Sequence, residues 1–292
     1  MIDFDNTNSS LPYCNFKILG GYSSSGVHGT DSSTISFSFQ TRDKNAPSPP
    51  CTSLHCMIAH QLIIFITSLA ELSSDYDLSF QVRAAKSYSK LKKPVSDLSA
   101  VTIAFWMRTS DRNPGTVISY ATKVGDIVQD NALALQDYSS FNLFVNNRTL
   151  FTGLKVNDGQ WHHVAVTWES AGGTWHSYKD GVEIKTSSQV SQAFQQGEII
   201  SGGGVMILGQ EQDEIGGGFN TEENFVGDVS QLNIFDYALS ANDIYNLVYS
   251  CDYVKGNVAA WSDFRERLFG IYYLTDKSYA CDCKCLIFPF TS

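Results

Sequence analysis

The run Glu211-Gln212-Asp213-Glu214-Ile215-Gly216-Gly217-Gly218-Phe219 sets carboxylate and amide oxygens beside a glycine turn. Donors of that kind hold hard cations. Calcium takes about six to eight oxygen ligands at roughly 2.3 to 2.6 Å, drawn from carboxylates, side-chain amides and backbone carbonyls. In an extended segment Glu211 and Asp213 point to one side, and Gln212 can turn its carbonyl toward them. Gly216 to Gly218 permit backbone angles closed to other residues, so the chain is expected to double back and bring Asn220 and Glu223 to the same spot.

The charge pattern extends this reading. From Thr186 to Val254 there is no Lys, Arg or His, yet the segment holds ten carboxylates, as many as the chain's whole net charge of -10. Crowded carboxylates without cationic partners raise one another's pKa, and a divalent ion relieves the repulsion. The alternative is an acidic surface that only faces water. Negative charge speaks against a nucleic-acid partner, which needs a basic face to displace counterions from phosphates.

These side chains need elements to carry them. From Tyr76 onward short alternating runs predict strands at Leu78 to Val82, Val101 to Arg108, Thr116 to Tyr120, Phe141 to Val145 and Trp161 to Trp168. Asn157-Asp158-Gly159 and Lys179-Asp180-Gly181 read as turns, the second closing a tight hairpin between Trp175–Tyr178 and Val182–Ile184. Ser240 to Val248 is the predicted helix, with Ser240 as N-cap and Asp243 favouring its positive end. Many short strands and almost no helix predict an all-β, two-sheet sandwich or jelly roll. On the last strand Val164, Val166 and Trp168 share a core face, whereas His162 and His163 point to opposite faces and suit no single ion. Trp106, Trp175 and Trp261 read as packing.

At 292 residues and 43% hydrophobic, the chain has ample material for a large core. Residues 1–56 read as a Ser-, Gly- and Pro-rich extension, 76–270 as the folded domain, and 271–292 as a disordered, cysteine-containing tail. The apolar stretch 57–70 falls short of the roughly 20 residues of a membrane span. It resembles a signal peptide opened by Met57, the alternative being a buried strand or helix. Seven cysteines, Cys14, Cys51, Cys56, Cys251, Cys281, Cys283 and Cys285, cannot all pair within one chain, and their connectivity stays open. Asn8-Ser-Ser and Asn147-Arg-Thr are acceptor sites for glycosylation in a secreted chain.

Several of these pieces together resemble the pentraxin family. Ser119-Tyr120-Ala121-Thr122-Lys123 with Gln129-Asp130-Asn131 is similar to the family's first calcium segment, and His163-Val-Ala-Val-Thr-Trp168-Glu-Ser170 to its signature with one change. Ile207 to Phe219 and Phe225-Val226-Gly227-Asp228 match the long calcium loop and the strand after it. The closing Tyr245-Asn246-Leu247, Gly256-Asn257-Val258 and Trp261 are most similar to neuronal and other long pentraxins, and the likeness runs from about Asp77 to Phe269. It implies a lectin-like antiparallel jelly roll with one short helix and two calcium ions on one face. Asp130, Asn131, Glu211, Asp213 and the Gln212 carbonyl would hold the first ion; Glu211 and Asp213 would bridge to the second, completed from Asn220 and Glu223. Those last two positions depart from the family, which usually has an acid and then Gln. Ala104 and Ala165 replace the family's intradomain disulfide, and Gln136 stands where short pentraxins carry the aromatic that contacts choline. A cyclic homo-oligomer is implied by the same resemblance.

The expected function is calcium-dependent extracellular recognition, without catalysis, of a glycan, a phosphorylated or carboxylated group, or a cell-surface protein. One alternative is a structural or adhesion module whose calcium only stiffens loops. Another is a jelly-roll glycoside hydrolase, whose retaining form needs two carboxyls about 5 to 5.5 Å apart across a cleft.

Overall fold

The structure, a computed structural model, describes residues 76–186, 193–249, 254–265 and 267–270, and the strand backbone of 2–3, 17–18 and 273–275. The backbone divides into two units, 1–68 and 69–292. In the first, β1 (Ile2–Asp3) and β2 (Lys17–Ile18) pair antiparallel. The apolar stretch 57–70, the seven cysteines and the Asn8 acceptor lie outside the described residues.

The second unit is built of two seven-stranded antiparallel sheets. One runs, in spatial order, β12 (Val182–Glu183), β11 (Thr174–Lys179), β10 (Trp161–Glu169), β5 (Ala100–Arg108), β14 (Gly227–Phe235), β3 (Asp77–Phe80) and β16 (Tyr273–Thr275). The other runs β15 (Leu268–Phe269), β4 (Tyr88–Lys90), β13 (Val205–Leu208), β6 (Thr116–Val124), β7 (Ile127–Gln136), β8 (Asn142–Val145) and β9 (Arg148–Phe151). This is the predicted two-sheet sandwich. β16 pairs antiparallel with β3, Leu274 opposite Leu78.

Strand periodicity decides what is buried. Ile103, Phe105 and Met107 of β5 and Val164, Val166 and Trp168 of β10 face inward, where they meet Ile118, Tyr120, Leu133, Leu135 and Leu143 of the other sheet. Each such side chain contributes about 1.5 to 3 kcal/mol by leaving water. The intervening residues face out. Ala104 sits opposite Ala165 in the β5–β10 register, and with Tyr178 they are covered by Ile244 of α1 (Ala241–Tyr249). The helix starts as expected: the Asp243 N–H donates to Ser240 Oγ at 3.2 Å, while Asp243 Oδ2 accepts the Ser240 N–H at 3.1 Å. The predicted hairpin also forms, with Asp180 and Gly181 at positive φ between β11 and β12.

Candidate functional site

The site lies on the outer face of the second sheet, and its first part is made by a misfit between two strands. Tyr120 pairs with Leu133 and Thr122 with Gln129, so Ala121 alone must face Asp130, Asn131 and Ala132. The surplus residues of β7 bulge out of the ladder. The turn between β8 and β9 clips the bulge in place: the Asn147 N–H donates to the Asn131 carbonyl at 3.0 Å, and Asn147 Oδ1 accepts the Asn131 N–H at 3.2 Å. Gln136 Nε2 donates to Asn131 Oδ1 at 3.1 Å.

The second part is the loop after β13. Its side chains alternate, amides inward and acids outward. Gln210 Nε2 donates to the Ala84 and Ser87 carbonyls at 2.9 and 2.8 Å. Gln212 Nε2 reaches the Ser119 carbonyl at 3.2 Å and the Val205 carbonyl at 3.1 Å, and Gln212 Oε1 accepts the Gly216 N–H at 2.8 Å. The side-chain carbonyl of Gln212 is therefore taken by the Gly216 N–H. Its buried amide satisfies the backbone beneath the loop, and only the backbone carbonyl of this residue is left for a cation. Gly218 is required at φ +71, where a Cβ would lie 2.7 Å from that of Asp213. Phe219 then docks on Tyr88, ring centroids 4.8 Å apart, with Phe269 stacked on the same ring at 4.6 Å. Asn220 turns its oxygen to the Glu222 N–H at 3.1 Å and its amide to Glu223 Oε2 at 3.1 Å, so it orients Glu223.

These two parts meet at Glu211. Burial, then the neighbouring charges of Asp213, Glu223 and Asp130, push its pKa up to about 7, against which a hydrogen bond from Asn131 works. Glu211 is only 5% exposed, and its Oε2 is buried without a hydrogen-bond partner. The charges of Asp130, Asp213 and Glu223 thus all act on one buried carboxylate, which Asn131 also reaches, and Gln212 lies between Glu211 and Asp213 in the chain. The carboxylates repel, and among the described residues no three His, Cys, Asp or Glu side chains already stand at metal-ligand spacing. The donor set fits a hard divalent cation: all oxygen, excess negative charge, and one acceptor with no internal donor. The sequence reading quoted Gln210 and Ser119 within matching segments without giving them an anchoring role, and it missed Tyr88. Only the Gln-Glu-Gln-Asp alternation hinted at the first of them.

The two histidines stand elsewhere. His163 packs edge-on to Trp106 at 5.4 Å, while His162 lies between Asp180 at 2.8 Å and Asp158 at 3.0 Å. They point apart, as strand geometry requires.

A family model described as the Pentaxin family matches residues 78–273. The chain belongs to the pentraxin family. Among curated relatives, the rat "Sushi, von Willebrand factor type A, EGF and pentraxin domain-containing protein 1" is 42% identical over 221 residues, 74% of this chain and 6% of that protein. Human neuronal pentraxin-2 is 35% identical over 198 residues, 67% of this chain and 44% of its own. The chain therefore spans less than half the length of these relatives. A solved heptameric SAP-like pentraxin from Limulus polyphemus aligns with a TM-score of 0.61 at 26% identity, covering 72% of this chain and 98% of that one. As a pentraxin domain the chain is a jelly roll of the lectin-like, ligand-binding kind. Ala104 and Ala165, where the resemblance implies a half-cystine pair, are direct cross-strand neighbours, and Ile244, Leu239 and Leu247 close over them. Among the described residues no helix is long and apolar enough to cross a membrane.

Proposed function

We propose that this domain is a calcium-dependent extracellular recognition module. In this reading Asp130, Asn131, Glu211, Asp213 and the Gln212 backbone carbonyl hold one ion, and Glu211, Asp213 and Glu223, steadied by Asn220, hold a second. The observation that carries it is the buried, unpartnered Oε2 of Glu211, surrounded by three further carboxylates and Asn131. Calcium, when bound, would neutralise this charge and offer open coordination positions to phosphorylated, carboxylated or glycan oxygens. The chain's own part is to hold the donors in place, which it does with Gln210, Gln212 and Phe219 beneath and beside the loop. Gln136 presents an amide already shared with Asn131, not an aromatic face, so choline is not the favoured group.

A structural role for the cation is the competing reading. A loop already tied down by protein hydrogen bonds and an aromatic contact has less need of an ion to stiffen it, which favours recognition. Calorimetric titration of the full chain with calcium tests the cation reading: heat is expected for the wild type and none for the double variant Glu211→Ala, Asp213→Ala, and equal binding by both would remove it. A glycan and phospholipid array probed with and without chelator then separates the two roles. Chelator-sensitive hits support recognition; a calcium-dependent melting shift with no hit supports the structural role. Assembly into a ring of subunits belongs to the same proposal, with native mass spectrometry as its check.

A further inference from the structure

Arg83, which supplies none of the oxygens discussed so far, grips the backbone that carries Glu223. Its Nη1 lies 3.4, 3.1 and 3.3 Å from the carbonyl oxygens of Thr221, Glu222 and Asn224. The carbonyl between them, that of Glu223, accepts the Thr116 N–H at 2.8 Å. The two Nη1 hydrogens are thus shared among three carbonyls and the fourth is bonded by the backbone, in a stretch whose ladder contact is a single parallel bridge between Thr116 and Asn224. The opposite arm of the guanidinium, Nη2, pairs with Asp111 Oδ2, the same oxygen that accepts the Tyr138 hydroxyl. Burial would raise the Asp111 pKa, but the Tyr138 hydrogen bond, the backbone N–H groups of Asn113 and Arg112, and Arg83 itself bring it below the ordinary value. Asp111 therefore stays ionised and fixes the guanidinium, while Tyr138 is buried and packs edge-on against Phe225 at 5.8 Å. Only a planar fork reaches acceptors on two sides in this way; an ammonium on a flexible stem serves one side at a time.

We infer that Arg83 is a positioning residue for the second cation, setting where Glu223 stands before any ion arrives. The inference rests on the two-ion reading above. With Arg83 in place, the ordering of 221–224 is complete in advance and is not charged to binding. Without it, the second ion must order the segment itself, and its affinity should fall on the order of tenfold, the equivalent of ordering about one backbone residue. The first ion draws on Asp130, Asn131 and the Gln212 carbonyl, none of which Arg83 touches, and should change by less than about twofold.

The test is calcium calorimetry on the full chain for wild type, Arg83→Met and Arg83→Lys, with hydrogen exchange of the calcium-free proteins over 220–226. Arg83→Met should weaken the second binding event and leave the first, and exchange across 221–224 should quicken without calcium. Arg83→Lys should lie between wild type and Arg83→Met. Equal weakening of both events, an unchanged second event, or unchanged exchange would overturn the assignment. A wild-type chain lacking a second event would overturn the two-ion reading and this inference together, whereas a normal wild type with an intact second event in Arg83→Met sinks only the inference. Should Arg83→Met not fold, Arg83→Lys decides alone: a weakened second event beside a normal first supports the role, and two normal events remove it.

Discussion

Asp111 and Glu211 are carboxylates drawn out of water in the same molecule, with opposite outcomes. Asp111 is desolvated, yet it has Tyr138, two backbone N–H groups and Arg83 around it, and its pKa falls below the ordinary value. Glu211 is desolvated too, but its neighbours are Asp213, Glu223 and Asp130, and its pKa rises to about 7. Burial acts alike on both; the partner decides the sign. Elsewhere the fold matches acids with cations, as in Arg108 with Asp228 at 2.7 Å and Lys93 with Asp263 at 2.9 Å. Around Glu211 the charges that act on it are those of other acids, which in the reading proposed above calcium would neutralise.

Removing the contrast at its centre should have the largest effect. Glu211→Gln should weaken calcium about a hundredfold or more, because one carboxylate serves both proposed ions. Titration calorimetry reads this directly. Below pH 7 wild-type affinity should itself fall by about tenfold per pH unit as a proton competes for the carboxylate, and level off above it; affinity flat between pH 5 and 7 would contradict the assigned cause.

In calcium-free protein the same substitution should work the other way. The folded pKa of Glu211 lies above its ordinary 4.5, so the folded state binds the extra proton between about pH 4.5 and 7. Stability is then highest below that window and lost as pH rises through it, by about 3 kcal/mol. Urea denaturation at pH 8 should show Glu211→Gln more stable than wild type by roughly that amount, with the difference vanishing near pH 4.

Two further variants sharpen the comparison. Ala104→Cys with Ala165→Cys probes a cross-strand pair far from either carboxylate environment, and the disulfide should add about 2 kcal/mol, at the low end of the usual range because Ile244 already packs there. Melting with and without reductant measures it, and calcium affinity should not move. Asp111→Asn should cost about 1 to 2 kcal/mol at neutral pH by leaving Arg83 without its ionic partner. Its sign is opposite to that of Glu211: the lowered folded pKa means this stability is present above the ordinary 3.8 and disappears as pH falls. Acid titration of wild type and variant should therefore converge.

Much of the sandwich was legible because alternation is a local signal. The Val164, Val166, Trp168 face, the Lys179-Asp180-Gly181 turn and the Ser240–Asp243 cap all follow from neighbours in sequence. β7 was not assigned as a strand because its first half carries Gln129, Asp130 and Asn131 on a half-exposed bulge, which breaks the alternation. Gln212 misled for a related reason. An amide beside acids can face outward as a ligand or inward as a backbone partner, and the choice depends on Val205 and on Ser119, the latter 93 positions away. Arg83 and Tyr88 gave no local sign, since the Glu222 carbonyl that Arg83 grips and the Phe219 ring that Tyr88 carries both lie more than a hundred positions away.

By itself the sequence determined the inventory: oxygen donors without nearby cations, a glycine turn to let them double back, and strands enough to carry them. Those are properties of residue type and short spacing, which backbone sterics and charge translate directly. Which oxygens face one another was decided only by the tertiary structure, through a two-residue surplus in β7, the inward turn of Gln212 and the burial of Glu211. Desolvation and hydrogen-bond partnership depend on what lies across the fold, and no stretch of chain carries that information alone.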